Sequence, residues 1–261
     1  LAFAAITDRH ISGSSLVHRL DARLKLGLTV LFVFTALALP LGHWMAFALL
    51  ALAPIAATAL SGVSPITVVA RSLLALPFLL AAIPVVFNRE GGELFTIPLT
   101  DWTATDTGLE HFAAILFRSW LSVLMASVLT ATTEADHLLR SVRWFGVPRL
   151  LVSTIGFMWR YVFVIAEEAQ RLLRARESRS ARISKNSGGS ISWRAGVAGN
   201  MVGSLFLRSV DRSERVLVAM QARGYNGEMR SLERFALRRT DLIAGGVVGA
   251  LLAAVVAYAR L

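Results

Sequence analysis

Cysteine is absent from all 261 residues, which excludes disulfides and thiolate metal ligands and leaves no redox compartment to be read. Charge is scarce as well: 17% of residues are Asp, Glu, Lys or Arg, 55% are hydrophobic, and mean hydropathy is +0.60. A water-soluble domain of this length could bury one large core but needs a more charged surface to stay dispersed, so lipid is the expected solvent. Lysine occurs only as Lys25, after Leu24, and Lys185, after Ser184. Neither follows a glycine, which excludes a P-loop, whose Gly-Lys-Ser/Thr places an ammonium on nucleotide phosphates. The histidines, His10, His18, His43, His111 and His137, show no pair at metal-ligand spacing on one helix. No metal site and no catalytic constellation is expected. Leu1 to Ile6 is too short for a signal peptide and lacks its basic flank. With leucine rather than methionine first, the true start is expected to lie upstream.

What the chain has is a series of apolar runs near the roughly 20 residues that cross a bilayer as a helix. Five spans are expected: Leu24 to Leu41 with Lys25 snorkelling at its edge, Gly42 to Leu60 after a turn at Pro40, Leu73 to Phe87 kinked by Pro77 and Pro84, Phe112 to Ala131, and Leu242 to Ala259. Arg118, inside the fourth, sits near its outer end and is expected to snorkel outward rather than line a pathway.

Basic residues are retained on the cytoplasmic side. Arg9, Arg19, Arg23 and Lys25 place the N-terminus inside. The segment from Asn88 to His111 has Arg89 against five acidic residues and reads as an outside loop. Glu134 to Thr240 carries 19 of the 27 basic residues and reads as cytoplasmic before the last span leaves. This asymmetry accounts for the net charge of +10. With no basic, aromatic-interleaved motif, nucleic acid is not an expected partner, whereas membrane lipid is.

The basic stretch is also apolar at helical spacing. A short amphipathic helix is expected over Glu134 to Phe145, stopped by Gly146-Val147-Pro148. A long helix should follow from Pro148 to about Arg182, its apolar early half dipping into the membrane. Lys185 to Ser190 reads as a linker, and a second long helix as Ser192 to Ala222, with Gly224 suited to cap it. Gly196, Gly199 and Gly203 give that helix a small-residue face suited to a close crossing with another helix, and Gly245 and Gly249 repeat the spacing in the last span. Glu167 with Arg171, and Asp211 with Arg215, have helix-supporting acid-before-base spacing. The domain organisation expected is 1–133 as N-terminal transmembrane helices, 134–240 as a cytoplasmic or interfacial module, and 241–261 as the C-terminal transmembrane helix.

The two long helices echo one another. Glu167 lies nine residues before Arg176 in Ala175-Arg176-Glu177, and Glu214 nine before Arg223 in Ala222-Arg223-Gly224. An arginine at a helix C-terminus complements the macrodipole, which explains one occurrence. A guanidinium at a helix tip is equally a rigid fork of donors for carboxylates or carbonyls on a partner. Spacing alone leaves both readings open.

Three segments resemble the transmembrane T subunits of energy-coupling-factor importers, in particular the cobalt-type members known as CbiQ. They are Ser14 to Leu26 (SSLVHRLDARLKL), Met158 to Ala169 (MWRYVFVIAEEA), and the closing pair Arg212 to Val216 with Ala219-Met220-Gln221-Ala222-Arg223-Gly224-Tyr225. The likeness runs from about Asp8 to Gly227. Ala22 stands where the family usually has proline, and Trp159 where cobalt-type members commonly have tyrosine. The resemblance implies an all-α polytopic membrane protein with about five transmembrane helices and two long crossed cytoplasmic coupling helices, in the inner membrane of a bacterium. It implies a non-catalytic subunit with no cofactor of its own, ATP being bound by a partner ATPase homodimer. Ala175, Arg176, Glu177, Ala222, Arg223 and Gly224 would dock those ATPases. A separate membrane subunit would capture the metal, alongside a small accessory membrane subunit. A nickel or vitamin importer of the same kind, and a membrane-embedded enzyme acting on lipid headgroups, are the alternatives.

Overall fold

Short polar side chains set where the helices begin. The computed structural model of the chain describes residues 15–73, 80–87, 92–97, 102–179, 190–227 and 239–260. Ser15 caps α1 (Leu16–Arg19), its Oγ accepting the His18 amide. Asp21 caps α2 (Ala22–Ala38), its Oδ1 accepting the Arg23 amide at 2.8 Å. Ala22 is therefore the first residue of α2, a position where proline and alanine serve equally because the amide there has no helical acceptor. α3 (Trp44–Ser61) closes on Gly62 at φ +69°, and α4 (Pro65–Ser72) opens on proline. Thr105 caps α5 (Asp106–Thr132), its Oγ1 accepting the Gly108 amide at 3.1 Å with Asp106 in the first turn. α6 (Ala135–Trp144) ends before Gly146 at φ +90°, and α7 (Arg149–Arg179), α8 (Ile191–Ala222) and α9 (Arg239–Tyr258) follow. Ser190 caps α8 through the Trp193 amide. The helical membrane architecture expected from the sequence is what the chain adopts, apart from one short ribbon.

Several segments differ from expectation: α4 lies between two expected spans, and α5 begins at Asp106 rather than Phe112. The run from Leu73 to Phe87 is not one continuous helix: α4 stops at Ser72, and a 3-10 turn occupies Ile83–Val86 with Pro84 in its first positions. Proline there removes an amide and fixes φ, which suits a tight turn and not a helix interior. Residues 74–79, including Pro77, lie outside the described residues, as do Lys185 to Gly189 of the expected linker. The segment read as a plain loop carries an antiparallel ribbon, β1 (Glu93–Ile97) on β2 (Trp102–Thr105), in register from Ile97 opposite Trp102 to Glu93 opposite Thr105, with an irregularity near Glu93. Its aromatic, β-branched and threonine residues favour strands. By length and composition, α3, α5, α7 and α9 are each able to cross a membrane. α2, at 17 residues, spans about 25 Å, near the lower limit for crossing.

The chain forms two units, Leu1–Ser141 with Arg234–Leu261, and Val142–Glu233. In the first, α5 is the central element, packed by α2, α3, α4 and the 3-10 turn, while α9 covers α2 and α3. Phe32, Leu50, Leu121 and Leu252 fill the core. Apolar burial gives little drive among lipid tails, so close fit and polar links decide helix pairing there. Two close approaches use glycine. A Cβ on Gly108 would lie 2.3 Å from the Val86 carbonyl oxygen, and one on Gly245 would lie 2.6 Å from Leu24 Cδ1. Trp120 Nε1 also donates to Ser72 Oγ at 3.1 Å, tying α5 to α4.

The polar links between α2 and α5 are reciprocal. Lys25 Nζ, in the first turn of α2, donates to the Thr132 carbonyl at 3.1 Å and to Thr133 Oγ1 at 3.3 Å, at the C-terminus of α5. It also reaches the His18 carbonyl at 3.3 Å. Arg118 of α5 donates through Nη2 to the Leu39 carbonyl at the C-terminus of α2, with its guanidinium 5.8 Å from the Phe47 ring centre. Lys25 and Leu39 are 14 residues apart, and so are Arg118 and Thr132. The antiparallel helices are thus fastened at two points roughly 21 Å apart, each cation satisfying carbonyls that a helix end leaves open. Lys25 is only 8% exposed, and Asp21 and the buried Asp241 of α9 attract it. Lys25 is buried among these oxygens rather than snorkelling as the sequence suggested, while Arg118, half-buried, holds a helix-end carbonyl.

Candidate functional site

The second unit is built from α7 and α8, and neither helix has a fully buried residue. Both nevertheless carry large apolar side chains: Leu150 is 70% exposed on α7, and Phe206 and Val218 are 66% and 64% exposed on α8. A helix that is apolar over much of its surface yet unburied needs lipid or a partner protein around it.

Two contacts define how the helices pair. Near the start of α7, Phe157 meets Tyr225 edge-on, ring centres 6.5 Å apart. Near the middle of both helices, Arg208 Nη1 donates to Glu168 Oε1 at 2.8 Å. The earlier residue on α7 meets the later one on α8, so the pair runs antiparallel. Arg171 turns to the same acidic cluster, 3.8 Å from Glu167 and 3.7 Å from Glu168. The expected spacing of Glu167 with Arg171 is thereby realised. Arg215 instead directs Nε to the main-chain carbonyl of Asp211 at 3.3 Å.

The two arginine triplets occupy different local settings. α8 ends in a Schellman arrangement: the Gly224 amide donates to the Gln221 carbonyl at 2.9 Å and the Tyr225 amide to the Met220 carbonyl at 3.0 Å. This closure needs a left-handed residue, supplied by Gly224 at φ +80°. Ala222 is the last helical residue and Arg223, exposed, is the cap. Arg176 lies instead within the last turn of α7, half-buried between exposed Ala175 and Glu177, because no glycine follows to stop the helix. The echo seen in the sequence is one of residue type and position, not of local backbone.

Antiparallel pairing puts the arginines at opposite ends. Tyr225, two residues beyond Arg223, touches Phe157, and Arg176 lies 19 residues further along α7. The axial distance from that contact to Arg176 is roughly 28 Å, too far for both guanidinium groups to enter one small pocket.

Gly196, Gly199 and Gly203 are exposed, and a Cβ on any of them would meet nothing within 4 Å among the described residues. They do not make the contact with α7, whose partners on α8 lie around Arg208 and Tyr225. Among the histidines, His18 Nδ1 lies 2.7 Å from Ser15 Oγ, His43 Nδ1 lies 3.2 Å from the Leu41 carbonyl, and His137 lies 3.8 Å from Glu134. His10 falls outside the described residues. Arg160 is exposed on α7. Spacing analysis missed the links made by Lys25, Arg118 and Glu168. For the first two, an isolated cation inside an apolar run was the available signal.

Comparison with known proteins places this arrangement in context. Residues 13–233 match the family described as the cobalt transport protein, CbiQ. An energy-coupling factor transporter transmembrane protein, EcfT, of Listeria innocua is 27% identical over 245 residues, covering 90% of this chain and 89% of that protein. The cobalt transport protein CbiQ of Rhodobacter capsulatus is 30% identical over 120 residues, 46% of this chain and 47% of its own. An uncharacterized protein of Methanocaldococcus jannaschii is 27% identical over 164 residues, 62% of this chain and 54% of that protein.

Proposed function

The chain belongs to the CbiQ family of cobalt transport proteins, and from that membership we propose that it is the transmembrane coupling subunit of an ATP-driven energy-coupling-factor importer. It passes the motion of cytoplasmic ATPase subunits to a separate membrane subunit that captures the substrate. The substrate class is a divalent metal, with cobalt favoured by the name of the family and of the Rhodobacter relative. The N-terminus and the Arg-rich unit lie on the cytoplasmic side of the bacterial inner membrane, following the distribution of basic residues.

The observation that carries this reading is the placement of Arg176 and Arg223 at opposite ends of one antiparallel helix pair. An ATPase homodimer presents two equivalent sites related by a two-fold axis. Two arginines held far apart on one rigid element give each site its own guanidinium, with Ala175 and Ala222 leaving the approach open and Glu177 and Gly224 flanking the contacts. Closure of the dimer then displaces both ends together, biasing a two-state element as coupling requires. The exposed glycine ridge of α8 and the bare apolar faces suit a closely crossing helix of the substrate-capturing subunit. ATP binds the partner, because this chain has no P-loop.

The test is co-purification in mild detergent with metal uptake measured on the same strains. Arg176→Glu and Arg223→Glu each remove one charged contact and introduce repulsion. Losing a charge-paired contact costs about 2 kcal/mol or more, so ATPase association should weaken at least roughly 30-fold, with membrane insertion intact. Unchanged association and unchanged uptake in the double variant would refute the docking role. Uptake of nickel or of a vitamin in place of cobalt, with the native capturing subunit, would move the substrate and leave the coupling role.

A further inference from the structure

The chemistry that holds α7 to α8 is unevenly distributed. Most of the residues available to their contact are apolar, and apolar contacts are non-directional, so antiparallel helices packed through them can slide by a turn at little cost. Glu168 breaks this uniformity. Its carboxylate has only 18% of its side chain exposed, receives Arg208 across the pair at 2.8 Å, and lies 3.7 Å from Arg171 on its own helix. The pair also lies near the midpoint of α7 (Arg149–Arg179) and of α8 (Ile191–Ala222), with Arg176 roughly 12 Å along one helix and Arg223 roughly 22 Å along the other. A directional charge pair in a largely apolar helix interface is a device for fixing register.

We infer that the Glu168–Arg208 pair is the pivot of the two long helices, a positioning element that sets their register and crossing so that the Arg176 and Arg223 ends move as one lever. Glu168 and Arg208 act on neither nucleotide nor substrate directly. Their task is to convert a push at one helix end into a defined displacement at the other. Arg171 restrains the carboxylate from its own helix, so that Glu168 is already oriented toward α8. The functional consequence rests on the coupling role proposed above, while the structural claim does not.

The absence of cysteine makes the test direct, since introduced cysteines are the only labelling sites. Nitroxide labels at Leu173→Cys and Val218→Cys, positions 47% and 64% exposed near the two ends, report end-to-end distance in the full chain in lipid. The native pair should give one narrow distance distribution. Glu168→Ala and Arg208→Ala should each replace it with a broad or multiple one, and the exchange Glu168→Arg with Arg208→Glu should restore it, Glu167 remaining beside Arg171. In the complex with its ATPases, each alanine variant should keep ATP hydrolysis and lose Co2+ uptake, and the exchange should recover uptake. A native distance distribution in both alanine variants overturns the pivot. So does loss of hydrolysis and uptake together with no recovery on exchange, since that pattern marks ordinary structural damage. Should the unmodified chain retain no ATPase at all, the coupling role fails while the distance measurement still decides the pivot.

Discussion

Replacing Lys25 with methionine separates a buried clamp from a snorkelling side chain. Methionine keeps most of the apolar stem and removes the ammonium that binds the carbonyls of His18 and Thr132 and the hydroxyl of Thr133. A snorkelling lysine at a membrane edge would lose almost nothing, within about 0.5 kcal/mol. The observed lysine, 8% exposed, instead gives its ammonium to oxygens at helix ends inside the protein. Removing it costs roughly 3 kcal/mol, since a charged donor is worth about 1.5–3 kcal/mol and the His18 and Thr132 carbonyls both lose it. For a chain of this size that corresponds to a fall of roughly 6 to 12 °C in thermal midpoint. The assay is thermal unfolding of the purified protein in one detergent at one heating rate, because unfolding of such proteins is commonly irreversible. A cycle with Asp241→Asn gives a second reading: the double variant should be less damaged than the sum of the singles, with a coupling of about 1 kcal/mol or more. A midpoint within about 1 °C of the native protein for Lys25→Met would refute the clamp, and strict additivity in the cycle would show that Asp241 plays no part in it.

Further outcomes follow from backbone geometry. Gly108→Ala should lower the thermal midpoint by several degrees, because the new methyl group would sit on the Val86 carbonyl and force the 3-10 turn away from α5 by a displacement that overpacking makes cost roughly 1–3 kcal/mol. A normal midpoint for that variant would show the approach to be looser. Gly224→Ala should weaken ATPase association about tenfold, since a left-handed alanine costs roughly 1–2 kcal/mol and frays the end that presents Arg223. Gly224→Asn should be much milder, because asparagine tolerates that backbone. Equal binding losses for alanine and asparagine would mean that lost flexibility or bulk, rather than handedness, is responsible.

Much of the fold was legible because its causes are local. The stop at Gly224 and the extents of α6, α7 and α8 follow from short-range signals that the sequence shows directly, and the caps at Asp21, Thr105 and Ser190 are equally local though they were not read from it. The segment from Leu73 to Phe87 was read as a span because its composition is apolar. The structure departs from that where it describes the segment, with a 3-10 turn at Ile83–Val86 opening on Pro84, since hydropathy records the solvent a segment prefers and not whether its backbone remains helical. The ribbon over Glu93–Ile97 and Trp102–Thr105 was hidden for a similar reason: charge assigned the segment a side of the membrane but said nothing of strand pairing.

The arginine-bearing triplets were legible as residue types, and Gly224 as a helix stop. Their relation in space was not. Glu167 and Glu168 are adjacent and chemically alike, yet successive helical residues point about 100° apart, so only the packing azimuth of α7 selects Glu168 to meet Arg208. Lys25 and Arg118 likewise looked like cations seeking water until folding brought carbonyls from positions 132 and 39 within reach.

The order of residues alone determined that this protein lives in lipid, that it is helical, the extents of its two long basic helices, and which residue types stand near their ends, because solvent preference and capping act within a few positions of the chain. Tertiary structure decided which distant carbonyl each buried cation satisfies, which acidic residue links the long helices, and that Arg176 and Arg223 face opposite ends of one pair. Those choices depend on residues tens of positions apart meeting in a particular orientation, and no local preference carries that information.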